Sequence, residues 1–566
     1  MSKAIVGDEA PSYAVQPPLD GTFAYSDTLR HGRAQHDLQS WRPGLRNADD
    51  DHRPDFATNK ARARELVWQD PYGANSLRIQ RDNVIGKSYA LSLDINARAL
   101  GIDEKTAHDW ERLAQEEWRR YAEGAWFGAD AARKNTFTFL MHQALASLHI
   151  EGEILANIAA KPGWEGYYTC LHMLEPERLV NPGKVMNPVN TGVELINGVE
   201  RDRMGEPLAY YIRKTYPATR AAVQLFRENS ANYERVPRLT EWGRPIVLHC
   251  FDEHRPSMSR GVSAMVSVMK QMKMLGAYSD TELERAIMQA SFAAVIESEL
   301  DYEEAMKLVG AEGHAWNNNL TAAAMGHMKQ VAGYHQAIGL RYNGARISHL
   351  LPGEQLKVVN SAIPGAEYDK FEKAIIRQLA AGLGVSAESL SRDFTGTSYS
   401  AARMSLADIW RSNLVRREML NSKFAMQFVG AWMEEALLSG FLAMPDGSEA
   451  TLENWIAKRH WLVRGTFVSW GKPLIDPVKE RQGQQMALAL GLTTLEEEAA
   501  TEGKAWDDIM RQRKQEVDER RRLQLNVHDV DPTLAYPGAT PSAPQAPGGS
   551  QGPRAPGNQS SGGSAE

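Results

Sequence analysis

The stretch Arg255-Pro-Ser-Met-Ser-Arg-Gly261, followed by the proline-free run 262–298, decides how this chain is read. Met265, Met269, Met272 and Leu275 recur at i, i+4, i+7 and i+10, and Leu283, Ile287 and Ala290 resume the stripe, which is one face of an α-helix. Ser263, Ser267 and Lys270 fall on the opposite face. Even with a kink at Gly276, such a helix reaches about 50 Å at roughly 1.5 Å per residue. Two uses compete for it: the core of a large mixed domain, or a helix whose neighbours are copies of itself in a ring. Methionine suits the second, because an unbranched, polarisable side chain repacks when a neighbour slides. Spacing alone does not separate them.

Around this helix lie 566 residues (63.0 kDa), 43% of them hydrophobic, enough for a sizeable core and two or more subdomains. Lys+Arg 64 against Asp+Glu 71 leave a formal charge of −7, which excludes a general nucleic-acid-binding protein by charge. Any DNA contact must be local or weak. Two cysteines, Cys170 and Cys250, argue against a disulfide framework or a Cys-based zinc site and fit a reducing compartment. No stretch approaches the roughly 18 apolar residues of a membrane span, and no apolar signal core opens the chain, so no membrane partner is expected.

Residues 1–55 are polar and punctuated, and read as an extended arm. Helical signals begin at Lys60-Ala-Arg-Ala-Arg-Glu-Leu66. Arg81-Asp-Asn-Val-Ile-Gly-Lys-Ser88 approaches a phosphate loop, but Arg81 stands where that loop needs glycine. Helices are expected over 104–124, with Trp110, Trp118 and Trp126 as core residues, and over 134–159 through Phe137, Leu140, Leu145 and Leu148. From 165 to 250 short alternating runs predict strands, with Asn197-Gly198 supplying the positive φ of a hairpin turn.

A second helix is expected from Glu367, with Tyr368, Phe371, Ile375 and Leu379 on one face and the Gly382-Leu-Gly384 breaker at its end. Asp393-Phe-Thr-Gly-Thr-Ser398 reads as a loop between helices. From Ser400 a helix runs to about Leu438 with Leu406, Ile409, Trp410, Leu414, Phe424, Phe428 and Trp432 as core stripe, studded by Arg403, Arg411, Arg416, Arg417 and Lys423. Strands are predicted around Trp461-Leu-Val463 and Thr466-Phe-Val-Ser-Trp470. Asp476 and Pro477 open a helix as N-cap and first residue, and Thr493-Thr-Leu-Glu496 has capping-box spacing. A basic helix around Arg511, Arg513, Lys514 and Arg520 closes the folded part; beyond Asp531 the tail has too little apolar surface to fold.

Catalysis needs a constellation, and G-x-S-x-G, H-E-x-x-H, C-x-x-C and a complete phosphate loop are all missing. His249 and His254 lie near Asp252 and Glu253, but strand side chains alternate faces, so a structural role is expected and no metal site. The sequence requires neither cofactor nor catalytic residue, and an enzyme is not expected.

Five motifs occur in a fixed order: Asn197-Gly-Val-Glu-Arg-Asp-Arg-Met-Gly-Glu-Pro-Leu-Ala-Tyr-Tyr211, His249-Cys-Phe-Asp-Glu-His-Arg-Pro-Ser-Met-Ser-Arg-Gly261, Leu351-Pro-Gly-Glu354, Ala380-Ala-Gly-Leu-Gly-Val385 and Ser398-Tyr-Ser-Ala-Ala-Arg403. Over residues 60–520 the chain resembles the lambda-type family of tailed-bacteriophage portal proteins. Ser257-Met258 stands where that family usually carries Gly-Gln.

The resemblance implies an α+β portal fold assembled as a homo-oligomeric ring, with an α/β wing, a two-helix stem, a small α/β clip, a long tunnel/wing helix and an α-helical crown. The regions would fall at 1–55 (N-terminal arm), 56–255 (wing), 256–298 (stem helix), 299–362 (clip), 363–383 (second stem helix), 384–399 (tunnel loop), 400–475 (long helix and return to the wing), 476–527 (crown-like helices) and 528–566 (tail). Twelve helices of about 10 Å diameter in a ring leave an opening of roughly 25–30 Å, wide enough for a B-form duplex. Thr395, Gly396, Thr397 and Ser398 would line the DNA channel, Arg403 and Arg411 would face the channel or a neighbouring subunit, and Met265, Met269, Met272 and Leu275 would pack the stem. The implied function is a channel for double-stranded DNA in packaging and ejection. Implied partners are the terminase large subunit, head-tail connector or neck proteins, and the major capsid or scaffolding protein. The implied location is the capsid portal vertex of the virion, with assembly in the host cytoplasm. A non-portal capsid or neck adaptor, or a packaging enzyme, is the alternative; the adaptor would lack two helices flanking a clip-sized insertion, and the enzyme needs residues this chain lacks.

Overall fold

At Gly152 the backbone turns left-handed (φ 84°) and ends the helix Phe137–Glu151, which the apolar run predicts as continuing to 159. Glu153–Ala160 is instead a strand, buried almost along its whole length between two neighbours. A strand covered on both sides shows no polar alternation, so Glu-Ile-Leu-Ala-Asn-Ile-Ala-Ala is indistinguishable from helix by periodicity. Gly152 also sets how two segments meet. A Cβ added there would lie 2.2 Å from the Val262 carbonyl carbon, and one added to Gly261 would lie 2.1 Å from the Gly152 oxygen. The two backbones touch only because both residues are glycine.

The computed structural model describes residues 45–52, 54–163, 166–182, 192–214, 232–292, 341–342, 345–346, 366–473, 475–504 and 506–524. Most of 299–362, including Leu351-Pro-Gly-Glu354, lies outside the described residues, as do 1–44, 293–298 and the tail from 525. The fold is mixed helix and sheet. Its strands are β1 (Ala90–Leu93), β2 (Glu153–Ala160), β3 (Thr169–Leu174), β4 (Glu194–Ile196), β5 (Val199–Arg201), β6 (Pro207–Arg213), β7 (Tyr233–Pro237), β8 (Val247–Phe251), β9 (Arg341–Tyr342), β10 (Ala345–Arg346) and β11 (Gly465–Val468).

β2 lies between β3 and β8, antiparallel to both, with Leu155 opposite Leu174 on one side and His249 on the other. β4 to β7 form an antiparallel meander in chain order. Its first turn is Asn197-Gly198, at φ 50° and 86°, the left-handed pair a tight hairpin requires. β1 pairs with β11 across most of the chain, Ala90 opposite Val468. Trp461-Leu-Val463, expected as strand, instead closes the helix Leu452–Leu462, whose N-cap Thr451 accepts from the Asn454 amide. The local cap overrides the β-branched and aromatic preference there.

The main core joins the helices Glu104–Ala122, Phe137–Glu151 and Met426–Leu438 to these sheets. Trp118 is its centre: edge-on to Trp432 at 5.1 Å and to Phe137 at 5.0 Å between ring centroids. Trp110 is buried as expected, but Trp126 is 63% exposed and is not a core residue. A second core joins Phe56–Gln69 and Pro71–Val84 to the helices Met269–Phe292 and Ala366–Leu383. Arg81 lies inside the Pro71–Val84 helix, so the phosphate-loop resemblance has no loop behind it.

The helix expected from Ser400 runs Tyr399–Leu420, passes through a π-helical turn at Asn421–Ala425 and continues as Met426–Leu438. The π turn is pinned by Asn421, which accepts from the Tyr89 hydroxyl and donates to Thr466 Oγ1 at 3.0 Å. Only from Leu420 onward is the stripe core: Phe424, Phe428 and Trp432 are fully buried, whereas Leu414, Met404 and Val415 are exposed. At the C-terminal end Asp476 caps Pro477–Ala489 as read, while the capping box is formed one residue later than the spacing suggests, by Thr494 and Glu497. Thr493 and Glu496 offer the same pair of residue types one position earlier, and sequence spacing cannot choose between the registers.

Candidate functional site

The residues expected to carry function lie on or beside three helices, Met269–Phe292, Ala366–Leu383 and Tyr399–Leu420, and on the connection between the last two. The first of these helices does not begin at Val262. Ser263 Oγ accepts the Met265 amide at 3.1 Å and donates to the His149 carbonyl at 3.1 Å, opening a 3-10 turn (Ala264–Ser267) before the helix Met269–Phe292. Ser263 is therefore buried rather than on a solvent face. Met265, Met272 and Leu275 are buried with Leu379, Ile376 and Leu383 of the second helix and with Ala63 and Leu66; Met269 is partly buried against them. Beyond Leu275 the cover ends. Tyr278 stacks on Tyr368 at 5.5 Å and meets Phe371 edge-on at 5.1 Å, but Leu283 is 62%, Ile287 57% and Phe371 48% exposed.

After Gly384 (φ 66°) the segment 384–399 is not one loop. Ala387–Ser391 is a short helix capped by Ser386 Oγ, which accepts the Ser389 amide. Asn75 braces its end: Nδ2 donates to the Ser389 and Leu390 carbonyls, both at 2.9 Å, and Oδ1 accepts from Arg392 at 3.1 Å. Past Arg392, itself at φ 60°, one tie to the second helix remains among the described residues, Lys373 to Asp393 Oδ2 at 3.6 Å, and the other side-chain bonds are local. Asp393 Oδ1 accepts the Thr395 amide at 2.9 Å and its hydroxyl, and this pulls the Asp393 carboxyl below the usual range. Ser398 caps the following helix. Thr395, Gly396 and Ser398 are exposed and Thr397 is partly so; nothing lies within 4 Å of a Cβ placed on Gly396. Sequence reasoning found the loop and missed its braces, although Asp-x-Thr is a readable turn pattern.

The basic residues that follow divide by direction. Arg403 and Arg411 are exposed and form no ion pair among the described residues. Arg417 is buried: it donates to the carbonyls of Val84 at 3.0 Å, Asn83 at 3.1 Å and Trp470 at 3.3 Å, and its guanidinium lies 5.4 Å from the Trp410 ring. Arg416 is largely enclosed, and burial pulls its pKa down. Lys423 donates to the Phe251 carbonyl at 3.3 Å.

Beneath the first helix sits a buried charge cluster that sequence reasoning did not find. Glu153, fully enclosed, accepts from Lys60 at 2.6 Å, His249 at 2.9 Å and Arg260 at 2.6 Å, and Arg260 also donates to the carbonyls of Pro176, Leu179 and Asn197. Burial alone would raise the Glu153 carboxyl, but Arg260 and Lys60 hold it well below the usual range. The Arg-Gly pair of the opening motif is thus structural: Arg260 ties the meander to β2, and Gly261 allows the backbone contact with Gly152. The 1–55 arm also enters here. Ala48–His52 is a helical turn in which Asp49 accepts the Ser259 amide at 2.9 Å, and Asp51 pairs with Arg255. His249 faces Glu153 rather than Asp252, and among the described residues no group of three or more His, Cys, Asp or Glu could hold a metal ion.

Burial, with Arg416 nearby, lowers His149 from 6.5 to about 4. Unfolded, His149 protonates near 6.5; folded, it resists until about 4, so its contribution is complete above the first value and lost on the way to the second. Stability is expected to fall by up to about 3 kcal/mol across that window from this group. Urea midpoints measured on both sides of the window should converge in His149→Gln relative to the unmodified chain; an equal acid loss in both would remove His149 as the cause.

The model of a family described as phage portal protein, lambda family, matches residues 34–417. The chain belongs to this family. As a lambda-family portal protein it is 34% identical over 494 residues to the portal protein of Escherichia phage N15, covering 86% of this chain and 89% of that one. To portal protein B of Escherichia phage lambda it is 32% identical over 492 residues, covering 86% and 88%. A solved chain from the neck of an empty gene transfer agent particle aligns with TM-score 0.37 and 14% identity over 84% of the portal chain and 98% of its own. Ser257 stands at φ 70°, a conformation glycine adopts without steric cost.

Proposed function

We propose that this portal protein forms a ring of about twelve copies, built as twelve helices of about 10 Å diameter around a duplex-sized opening. The ring sits at one capsid vertex, and double-stranded DNA passes through it in packaging and ejection. The terminase large subunit docks on it first, head-tail connector proteins later, and the major capsid or scaffolding protein surrounds it; assembly takes place in the host cytoplasm. ATP is consumed by the terminase, not by this chain. In this reading 256–298 and 363–383 are the stem, 299–362 the clip and 476–527 the crown.

The observation that carries the reading is the helix pair whose inner half is core and whose outer half exposes apolar side chains, Leu283 and Phe371 among them. An apolar face of this kind asks for a protein neighbour. The loop Thr395–Ser398 suits a moving polyanion, because hydroxyls touch phosphate without the salt-dependent grip of lysine, and Gly396 lets the backbone switch. A net charge of −7 per copy opposes tight binding in the same sense.

Negative-stain imaging with mass determination of the purified chain tests this. Rings with a central hole are expected, and a monomer that hydrolyses ATP would overturn the reading. Deleting 395–398 is expected to leave ring size unchanged and to lower the yield of packaged or retained DNA; loss of rings instead would make the loop structural.

A further inference from the structure

Trp410 and Trp470 come together at a cavity of about 340 Å³ that no part of the proposed channel uses. Asp82, Asn83, Gly471, Lys472 and Pro473 line it with Arg481 and Glu502, which pair with each other and leave Asp82 as the wall's unpaired carboxylate among the described residues. Trp470 is 56% exposed although its backbone is held: its carbonyl accepts from Arg417 at 3.3 Å, and the neighbouring Lys472 amide donates to Thr501 at 3.0 Å. An aromatic left open on a fixed backbone is a site prepared for a flat apolar group. Asp82, exposed on the rim, forms no ion pair among the described residues.

The chain itself contains a fitting occupant. Pro541, Pro544, Pro547, Pro553 and Pro556 all fall in one three-residue register. A polyproline II helix has about three residues per turn, so this register puts the prolines along one edge, the form that aromatic-lined grooves bind. Arg554, between two of these prolines, is the one lysine or arginine after Arg522, and Asp82 is a carboxylate at the groove that can receive it. Reach is sufficient. The helix Trp506–Arg522 has 17 residues, about 25 Å, so with its flanking residues Gln524 lies within about 45 Å of Glu502. Residues 525–540 span up to about 50 Å when extended.

We propose that the proline-rich segment 541–556 of this same chain docks in the Trp410–Trp470 groove, with proline rings against the indoles and Arg554 toward Asp82. The groove then holds the C-terminal tail against the base of the long helix.

The test uses the full chain carrying Ser542→Cys, labelled with bimane, a fluorophore quenched by tryptophan on contact; Cys170 and Cys250 are buried and leave the new thiol as the reactive one. Docking predicts a quenched label whose emission rises about twofold in Trp470→Phe, in Trp410→Phe and when Pro541, Pro544 and Pro547 are all replaced by alanine. Asp82→Asn, on the exposed rim, should raise emission partially, and excess synthetic peptide 538–557 should restore it in the unmutated labelled chain. Emission indifferent to both tryptophan variants and to the peptide overturns the proposal. Equal competition by an unrelated proline-rich peptide lacking arginine also overturns it, because the groove would then not be specific for this tail.

Discussion

Arg260→Met is expected to destabilise the folded chain by about 3–5 kcal/mol, the range for removing one partner of a buried ion pair. Methionine fills similar space, so the loss is electrostatic rather than a cavity. Without the guanidinium, Glu153 keeps Lys60 and His249 but loses three of its hydrogen bonds, and the carbonyls of Pro176 and Asn197 lose their donor. Glu153 is fully buried, so bulk solvent cannot compensate. Against a typical total of roughly 5–15 kcal/mol, such a loss threatens folding itself. The midpoint of urea unfolding is the measurement. Adding Glu153→Gln should recover part of it by removing the stranded charge, whereas Arg260→Lys should recover little, because an ammonium cannot span the carboxylate and three carbonyls at once. A midpoint unchanged in Arg260→Met would mean that the meander is held to β2 by apolar contact alone.

The second large effect separates folding from assembly. Leu283→Asp with Ile287→Asp is expected to leave the monomer intact, since both side chains are exposed and surface changes usually stay within about 0.5 kcal/mol. Ring formation should be abolished, because each copy would bury two carboxylates against an apolar neighbour. Sedimentation should then report a folded monomer. Met272→Asp is the contrast: that side chain is fully enclosed between helices of its own chain, so the expected result is unfolding and not disassembly. Rings of normal size from the Leu283/Ile287 variant would remove the outer half of the helix pair from the subunit interface.

What could be read in the sequence was local. Asn197-Gly198 and Asp476-Pro477 state their own geometry, and the structure has the hairpin and the cap at those residues. Glu153–Ala160 was illegible because a strand buried on both sides loses its period, and Trp461-Leu-Val463 was misread because the cap at Thr451 lies ten residues upstream of what it decides. Leu414, expected in a core stripe, is exposed because the π turn at Asn421–Ala425 rotates the later half of the helix onto a different face. Arg260 and Arg417 look alike in sequence to Arg403 and Arg411. What distinguishes them are partners 107 and 333 positions away, a separation no periodicity reaches.

The π turn also gives the long helix a mechanical character. Asn421, tied to Tyr89 and Thr466, is placed as a fulcrum, with Met426–Leu438 clamped in the core on one side and, on the other, Tyr399–Leu420 held only near its base by Asn413, Arg417 and Leu420. From its anchored base to its tip this arm has 22 residues, about 33 Å. A tilt of about 5° at the fulcrum would sweep Ser398 and the exposed hydroxyls beside it through about 3 Å, roughly the rise of one base pair, while no residue of the aromatic core moves.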